Sequence, residues 1–244
     1  MREVSVIIPC RNDAQVLRGT LDALHRVVTY NSFSVETLVV DDESTDATIE
    51  VAKSCAGEFA ALHIRVLARK RLQPGLGGTL RYGMAFAEGR YCVLLSSDGY
   101  DPVELLPALI RPLRAGKQLV QCSRYMLEQH AAAVPLKYRV YQSIYRALAR
   151  LALGTAVADT TYGFRAFDRI FIQSLGLAAK RFNVCPEMTF KVTLCGGAVE
   201  YVPGKPRGLH EGGQSKFQLR SEIWGYAYVL LRAGMHRAGI RRWL

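Results

Sequence analysis

The sequence predicts an α/β protein: a mostly parallel central sheet, Rossmann-like, with helices on both faces. Three observations predict it. Short apolar runs rich in Val, Ile and Leu recur at residues 4–9, 35–40, 62–67, 91–96 and 118–122, the pattern of buried strands. Helix-length segments at 13–28, 45–56, 77–88 and 102–114 separate them, as crossover helices must separate parallel strands. Polar or acidic residues follow the strands at Pro9 to Asp13, Asp41 to Ser44 and Ser96 to Asp101. Ligands of such sheets bind beyond the carboxyl ends of the strands, so the three loops are expected at one common edge.

The elements follow in order. The first run, Val4-Ser-Val-Ile-Ile-Pro9, is strand-length and ends in proline. The second, Leu38-Val-Val, delivers Asp41-Asp42-Glu43-Ser44-Thr45-Asp46. After the third come Arg69-Lys-Arg-Leu-Gln-Pro-Gly75 and a glycine-rich helix start, where backbone N–H groups and the helix dipole favour phosphate. The fourth ends in Leu94-Leu-Ser-Ser-Asp-Gly-Tyr-Asp-Pro102, a short acidic loop.

Beyond Tyr125 the alternation stops. A polar loop leads to a helix over about 136–153, with Val140, Ile144, Leu148 and Leu151 at helical spacing;. Arg139, Ser143, Arg146 and Arg150 give the same helix a basic stripe. Glycines at 204, 208, 212 and 213 mark a loop. A final amphipathic helix starts near Phe217, its apolar stripe formed by Trp224, Tyr228, Leu231 and Met235. That stripe docks on the core, lies on a membrane or pairs with a second subunit. The organisation expected is a domain over 1–216 and a basic amphipathic helix over 217–244.

At 50% hydrophobic and 22% charged residues the 244-residue chain is globular in composition;. No apolar stretch approaches the ~20 residues that cross a bilayer, and the start does not read as a signal peptide. The six scattered cysteines fit reduced, buried thiols of a cytosolic protein, not disulfides or zinc ligands;. Net charge is +11, of which +6 falls from residue 205 onward. An anionic partner follows from that balance. No nucleic-acid motif accompanies it, and a phospholipid surface is the better match.

Together these segments resemble the family 2 glycosyltransferases of the GT-A fold, within the branch of dolichol-phosphate mannosyltransferases and bacterial polyprenyl-phosphate glycosyltransferases. The resemblance covers roughly residues 3 to 217. It rests on Val4 to Pro9 with Asn12-Asp13, Val39 to Asp46, Gly75-Leu-Gly-Gly-Thr79, and the Asp98 loop with Pro102 and Glu104. Ser123-Arg-Tyr125, Asp159 to Phe167, Pro186-Glu187 and Gly213-Gln-Ser-Lys216 complete the series.

The resemblance implies an inverting transferase that moves a sugar from a GDP- or UDP-linked donor to an acceptor, here a polyprenyl phosphate, with peripheral membrane contact. It implies Asp42 as reader of the nucleobase, with Pro9, Arg11 and Asp13 lining the base pocket. Arg71, Gly75, Ser97 and Lys216 complete the donor contacts. Arg11 stands where an aromatic is common, so a guanidinium replaces ring stacking. Asp41, Asp42 or Ser44 as a plain helix cap is the competing reading.

Relatives hold Mg2+ or Mn2+ with two carboxylates in the fourth-strand loop. The matching positions here are Ser96, Asp98 and Tyr100. A neutral hydroxyl is a poor ligand, so weakened or altered metal use is expected, with Asp101 and His210 as additional candidate ligands. Cations such as Arg124, Arg207 or Lys216 are the metal-free alternative for the diphosphate.

For a lipid-phosphate acceptor the family implies Arg124 and Arg139 as holders, with Ser143 assisting, and the basic stripe adds Arg146. No general base is then required, because a phosphate monoester with its second pKa near ~6 is already a nucleophile. For a hydroxyl acceptor, Glu187 or Asp159 is the candidate base. Glu187 reads equally well as a helix-start residue after Pro186. Arg165 supports the pocket or pairs with Asp159. Two further classes are a weak GT-A domain that binds nucleotide as a partner subunit, and a nucleotidyltransferase. The latter lacks its glycines after the first strand.

Overall fold

The computed structural model describes residues 2–70, 74–132, 134–207 and 219–244. Its first half follows the strand-helix alternation: β1 (Val4–Cys10), α1 (Leu17–Asn31), β2 (Val35–Asp41), α2 (Thr48–Glu58), β3 (Ile64–Ala68), α3 (Leu76–Phe86), β4 (Tyr91–Leu94), α4 (Leu106–Arg114) and β5 (Leu119–Ser123). Then come α5 (Glu128–Ala132), α6 (Leu136–Leu153), β6 (Arg165–Asp168), α7 (Arg169–Ser174), α8 (Val184–Leu194), β7 (Val199–Pro203) and α9 (Leu219–Arg237).

The strands form one seven-stranded sheet in the order β3-β2-β1-β4-β6-β5-β7. All pairings are parallel except those of β6, which runs antiparallel to both β4 and β5. The register pairs Cys10 with Asp41 and Asp41 with Ala68, so β1, β2 and β3 end together. Leu95 N–H donates to Ile7 O at 3.0 Å, which brings the end of β4 to the same edge.

Alternation along β1 divides the core between the two faces. Val4, Val6 and Ile8 pack with α1, α2 and α4, while Ile7 joins Leu80 and Met84 of α3 and Val184, Met188 and Val192 of α8. A third cluster lies outside the sheet. There Tyr145, Ala149 and Leu153 of α6 meet Phe190 of α8 and Tyr226, Val229 and Ala233 of α9.

The sequence and structure differ in three places. Residues 13–16 form a turn, and α1 begins only at Leu17. The short antiparallel β6 and the half-exposed edge strand β7 carry too little apolar periodicity to be read as strands. The face that α9 buries is the third difference. Tyr226, Val229 and Ala233 pack inward, whereas Trp224, Tyr228 and Leu231 remain 80%, 53% and 60% exposed. On α6, Val140, Ile144, Leu148 and Leu151 are likewise exposed. A stripe at helical spacing marks an apolar face without saying what covers it.

Candidate functional site

Loops from four strand ends converge at the carboxyl edge. At β2, Asp42 is buried, and both of its carboxylate oxygens are engaged. Arg69 Nη1 donates to Oδ1, and Gly75 N–H donates to Oδ2 at 2.7 Å. At β1, Pro9 lies within the strand and Arg11 is exposed. Asp13 is 6% exposed and accepts from Arg11 N–H and from Ser97 Oγ, both at 2.8 Å. Ser97 O in turn accepts from Thr20 Oγ1 at 2.8 Å. The β1 and β4 loops are thereby pinned to each other. Asn12 (φ 55°) and Glu43 (φ 63°) both take left-handed backbone beside Asp13 and Asp42, conformations that cost energy and concentrate at functional edges.

The start of α3 differs from the sequence expectation of a phosphate cradle. Gly77 and Gly78 N–H groups donate to Lys180 O at 3.0 and 3.3 Å, and Gly75 N–H goes to Asp42. A Cβ on Gly77 would stand 2.1 Å from Ala179 O. The glycines therefore let the 178–181 backbone approach α3 closely, and their donors are committed within the protein.

Glu187 holds that approaching segment. It is 2% exposed, one turn into α8, and accepts from Ala178 N–H at 3.0 Å and Ala179 N–H at 2.7 Å. Lys191 Nζ lies 3.4 Å away and donates to Leu175 O and Gly176 O at 2.9 Å. The carboxylate is an anion inside a ring of donors, which is a brace.

In the β4 loop Asp98 accepts from Tyr100 N–H at 3.1 Å. Asp101 is 5% exposed and accepts from Ser96 N–H at 2.7 Å. Burial pushes the Asp101 carboxyl up to about 6, against the Ser96 N–H that favours its ionised form, and the neighbouring Asp98 charge adds to the rise;. The Ser96 hydroxyl is itself buried. Among the described residues no three His, Cys, Asp or Glu side chains gather into a metal cluster. One carboxylate and one hydroxyl fit a hard cation that takes its remaining ligands from diphosphate and water. Arg71, His210 and Lys216, which the sequence adds to this site, lie outside the described residues.

Opposite this loop stands a cationic centre. Arg124 donates to Asp159 from Nε at 2.8 Å and from Nη2 at 3.0 Å, and its Nη2 also reaches Thr161 Oγ1 at 3.0 Å. Its guanidinium lies 4.8 Å from the Tyr162 ring centroid and 5.3 Å from that of Tyr125, while Arg146 lies 5.2 Å from Tyr125;. Burial opposes the charge of Arg124, but Asp159 outweighs it and lifts the pKa further above its ordinary range. Asp159 is fully buried and also accepts from Gln142 Nε2 at 3.3 Å. Arg139 is half-buried on α6, and Ser143 Oγ turns back to its carbonyl at 3.0 Å. Arg165 is fully buried and donates to backbone carbonyls, including Cys185 O at 2.7 Å and Thr160 O at 3.1 Å. It ties β6 to α8.

The structure thus groups Asp42, Asp13, Ser97 and Gly75 on one side, and Arg124, Asp159 and Arg146 on the other. Reading residue types missed Arg69 as the partner of Asp42, although it belongs to the basic run before Gly75. It also missed Tyr162, Thr161 and Gln142, whose uncharged side chains carry no spacing signal.

Comparison with known proteins bears on the same residues. Dolichyl-phosphate beta-glucosyltransferase of Drosophila melanogaster is 31% identical over 71% of this chain and 56% of its own length. Dolichol-phosphate mannosyltransferase of Pyrococcus furiosus is 25% identical over 78% of this chain and 53% of its own. The chain spans about half the length of these two relatives. Among solved structures, glucosyl-3-phosphoglycerate synthase of Mycobacterium tuberculosis, in complex with Mn2+, UDP-glucose and glycerol 3-phosphate, shares the fold. Its TM-score is 0.71 at 24% identity, over 99% of this chain and 82% of that one. The family model of glycosyl transferase family 2 matches residues 5–176, a span holding the Asp42, Asp98 and Arg124 loops, and the chain belongs to that family.

Proposed function

We propose that the protein is an inverting glycosyltransferase that carries a sugar from a nucleotide-diphosphate donor to a polyprenyl phosphate. The observation that carries this reading is the composition of α6. Arg146 shares the Tyr125 ring with Arg124 and Arg139 is half-buried on the same helix, while Val140, Ile144, Leu148 and Leu151 are exposed on it. A phosphate headgroup with a long apolar tail matches a cationic face bordered by an apolar one. The dolichyl-phosphate relatives support the same acceptor class. That reading calls for peripheral contact with the cytoplasmic face of a membrane. No helix among the described residues is long and apolar enough to cross one.

Asp42 and Arg69 offer an acceptor beside a donor, the pattern that an imide-bearing base such as uracil or guanine presents in complement;. Asp98 and the Ser96 hydroxyl would hold a divalent cation, which when bound neutralises charge on the departing diphosphate. Arg124, fixed by Asp159, orients the attacking phosphate dianion, so no proton has to be removed from the nucleophile;.

A hydroxyl acceptor, as the glycerol 3-phosphate in the solved neighbour suggests, would need a base. Both candidates, Glu187 and Asp159, are buried and already accept several hydrogen bonds. The test is incubation with radiolabelled UDP-glucose or GDP-mannose, Mn2+, and either a short polyprenyl phosphate or 3-phosphoglycerate. Label in the lipid phase supports the proposal. Label in a phosphoglycerate product, with none in lipid, rejects it.

A further inference from the structure

We propose a second ligand site, for a small phosphorylated molecule, in the cleft between residues 176–183, α8 and α9. The cleft has a volume of about 590 Å³, within the range that takes small ligands. None of Asp42, Asp98, Arg124 or Arg139 lines it, so it is separate from the donor and acceptor residues above.

Its charge selects an anion. Lys180, Arg181, Lys191 and Arg232 face two carboxylates, Glu187 and Glu222. Both carboxylates are committed, Glu187 to Ala178 and Ala179 N–H and to Lys191, and Glu222 to Arg181 Nε at 2.7 Å. Arg181 and Lys191 are their partners, so four cations against two carboxylates leave the lining net positive. Arg232 marks the spot more sharply. Among the described residues its Nε is buried without a hydrogen-bond partner, and its terminal nitrogens lie 3.4 Å from Tyr228 Oη and from Arg242 O. A guanidinium whose terminal nitrogens are exposed and only weakly engaged suits the oxygens of an anion;.

The far wall gives the rest of the ligand its character. The Trp243 ring lies 5.4 Å from Lys191 Nζ and is 9% exposed. Gly176 and Gly225 keep the cleft open: space lies beyond Gly176, and a Cβ on Gly225 would come within 3.0 Å of Asn183. An indole wall beside a guanidinium suits a phosphate carried on a flat or apolar body.

The site also adjoins the donor residues through the backbone. Ala178, Ala179 and Lys180 form its wall, and Lys180 O holds Gly77 and Gly78, next to the Gly75 N–H on Asp42. A ligand there contacts the segment that seats the start of α3.

Phenyl phosphate and inorganic phosphate serve as probes, titrated into a Trp224→Phe variant so that Trp243 is the sole tryptophan, excited selectively over the tyrosines. We expect saturable quenching, at least tenfold tighter for phenyl phosphate, weakened tenfold or more by Arg232→Gln and unchanged by Arg124→Gln or saturating UDP. Lys180→Gln, expected to weaken binding about threefold, is the second variant should Arg232→Gln fail to fold. Absence of saturable quenching overturns the site. Quenching abolished by Arg124→Gln or by UDP, but indifferent to Arg232→Gln, also overturns it, because the phosphate then occupies the transfer site.

Discussion

The ion pair between Arg124 and Asp159 is the most heavily invested contact of the acceptor side, and Asp159→Asn tests it directly. Asp159 is fully buried and receives two donors of one guanidinium at 2.8 and 3.0 Å. Its replacement keeps the shape and removes the charge, leaving Arg124 buried beside a neutral amide. Removing one partner of a buried pair costs about 3–5 kcal/mol. For a chain of this size each kcal/mol moves the melting midpoint by roughly 2–4 °C, so a fall of about 6–20 °C is expected. The assay is a double-mutant cycle with Arg124→Gln, read by urea unfolding and by transfer kinetics. If the pair acts as a unit, the double variant should be more stable than the sum of the singles implies, with a coupling of about 1.5–3 kcal/mol. Transfer should fall at least tenfold in either single variant, through weaker acceptor binding. A coupling below about 0.5 kcal/mol would mean that Asp159 does not organise Arg124, and the reading of the acceptor centre would then be wrong.

Four further outcomes follow from the same geometry. Glu187→Gln should lower stability by about 1.5–3 kcal/mol while the pH profile of transfer keeps its shape; a lost acidic limb would instead identify a general base. Gly77→Ala should destabilise by about 3 kcal/mol or more, since its Cβ meets Ala179 O at 2.1 Å, and calorimetry should find UDP binding weakened; wild-type stability would refute the close approach. The Asp101 carboxyl, raised to about 6 in the folded state, binds its proton more tightly there than in the unfolded chain. Its contribution is therefore present below pH ~4 and is lost as pH rises through ~6, about 3 kcal/mol in all. Asp101→Asn should flatten that fall in a pH series of unfolding midpoints, and an unchanged series counts against the assignment. Ser96→Asp should tighten Mn2+ binding in the presence of UDP by roughly tenfold or more in calorimetry; no change would mean that position 96 does not face the cation.

How much of this was legible beforehand depended on how locally each feature is encoded. β1, β2 and β4 announce themselves because each is a largely apolar run buried on both faces, ending in a polar loop. Asp42 and Asp98 could be singled out because their loops follow those runs, and Arg124 through the resemblance carried by Ser123-Arg-Tyr125 after β5. β6 could not, since only four residues pair and the first of them is the buried Arg165, whose charge is absorbed by carbonyls from two separate segments. The burial of α9 was equally hidden. Tyr226, Val229 and Ala233 face the core, yet by hydrophobicity Trp224 and Leu231 are the stronger apolar residues. The commitment of the Gly77 and Gly78 donors to Lys180 joins residues about a hundred positions apart, and no local pattern encodes such a contact.

The reversed direction of β6 has one more consequence. Because β5 leaves the sheet at Ser123 and β6 enters it at Arg165, with Gln121 paired to Arg165, the chain departs and returns at a single edge. Everything between, from Arg124 through α6 to Phe164, is one excursion from the sheet that holds Asp42 and Asp98, anchored by Tyr162 and Phe164 in the core and by α6 against α8 and α9. Under the function proposed above, a change in this excursion would bear on the acceptor side and leave the donor side in place. On that reading, a single antiparallel strand is what sets the two halves of the site apart along the chain.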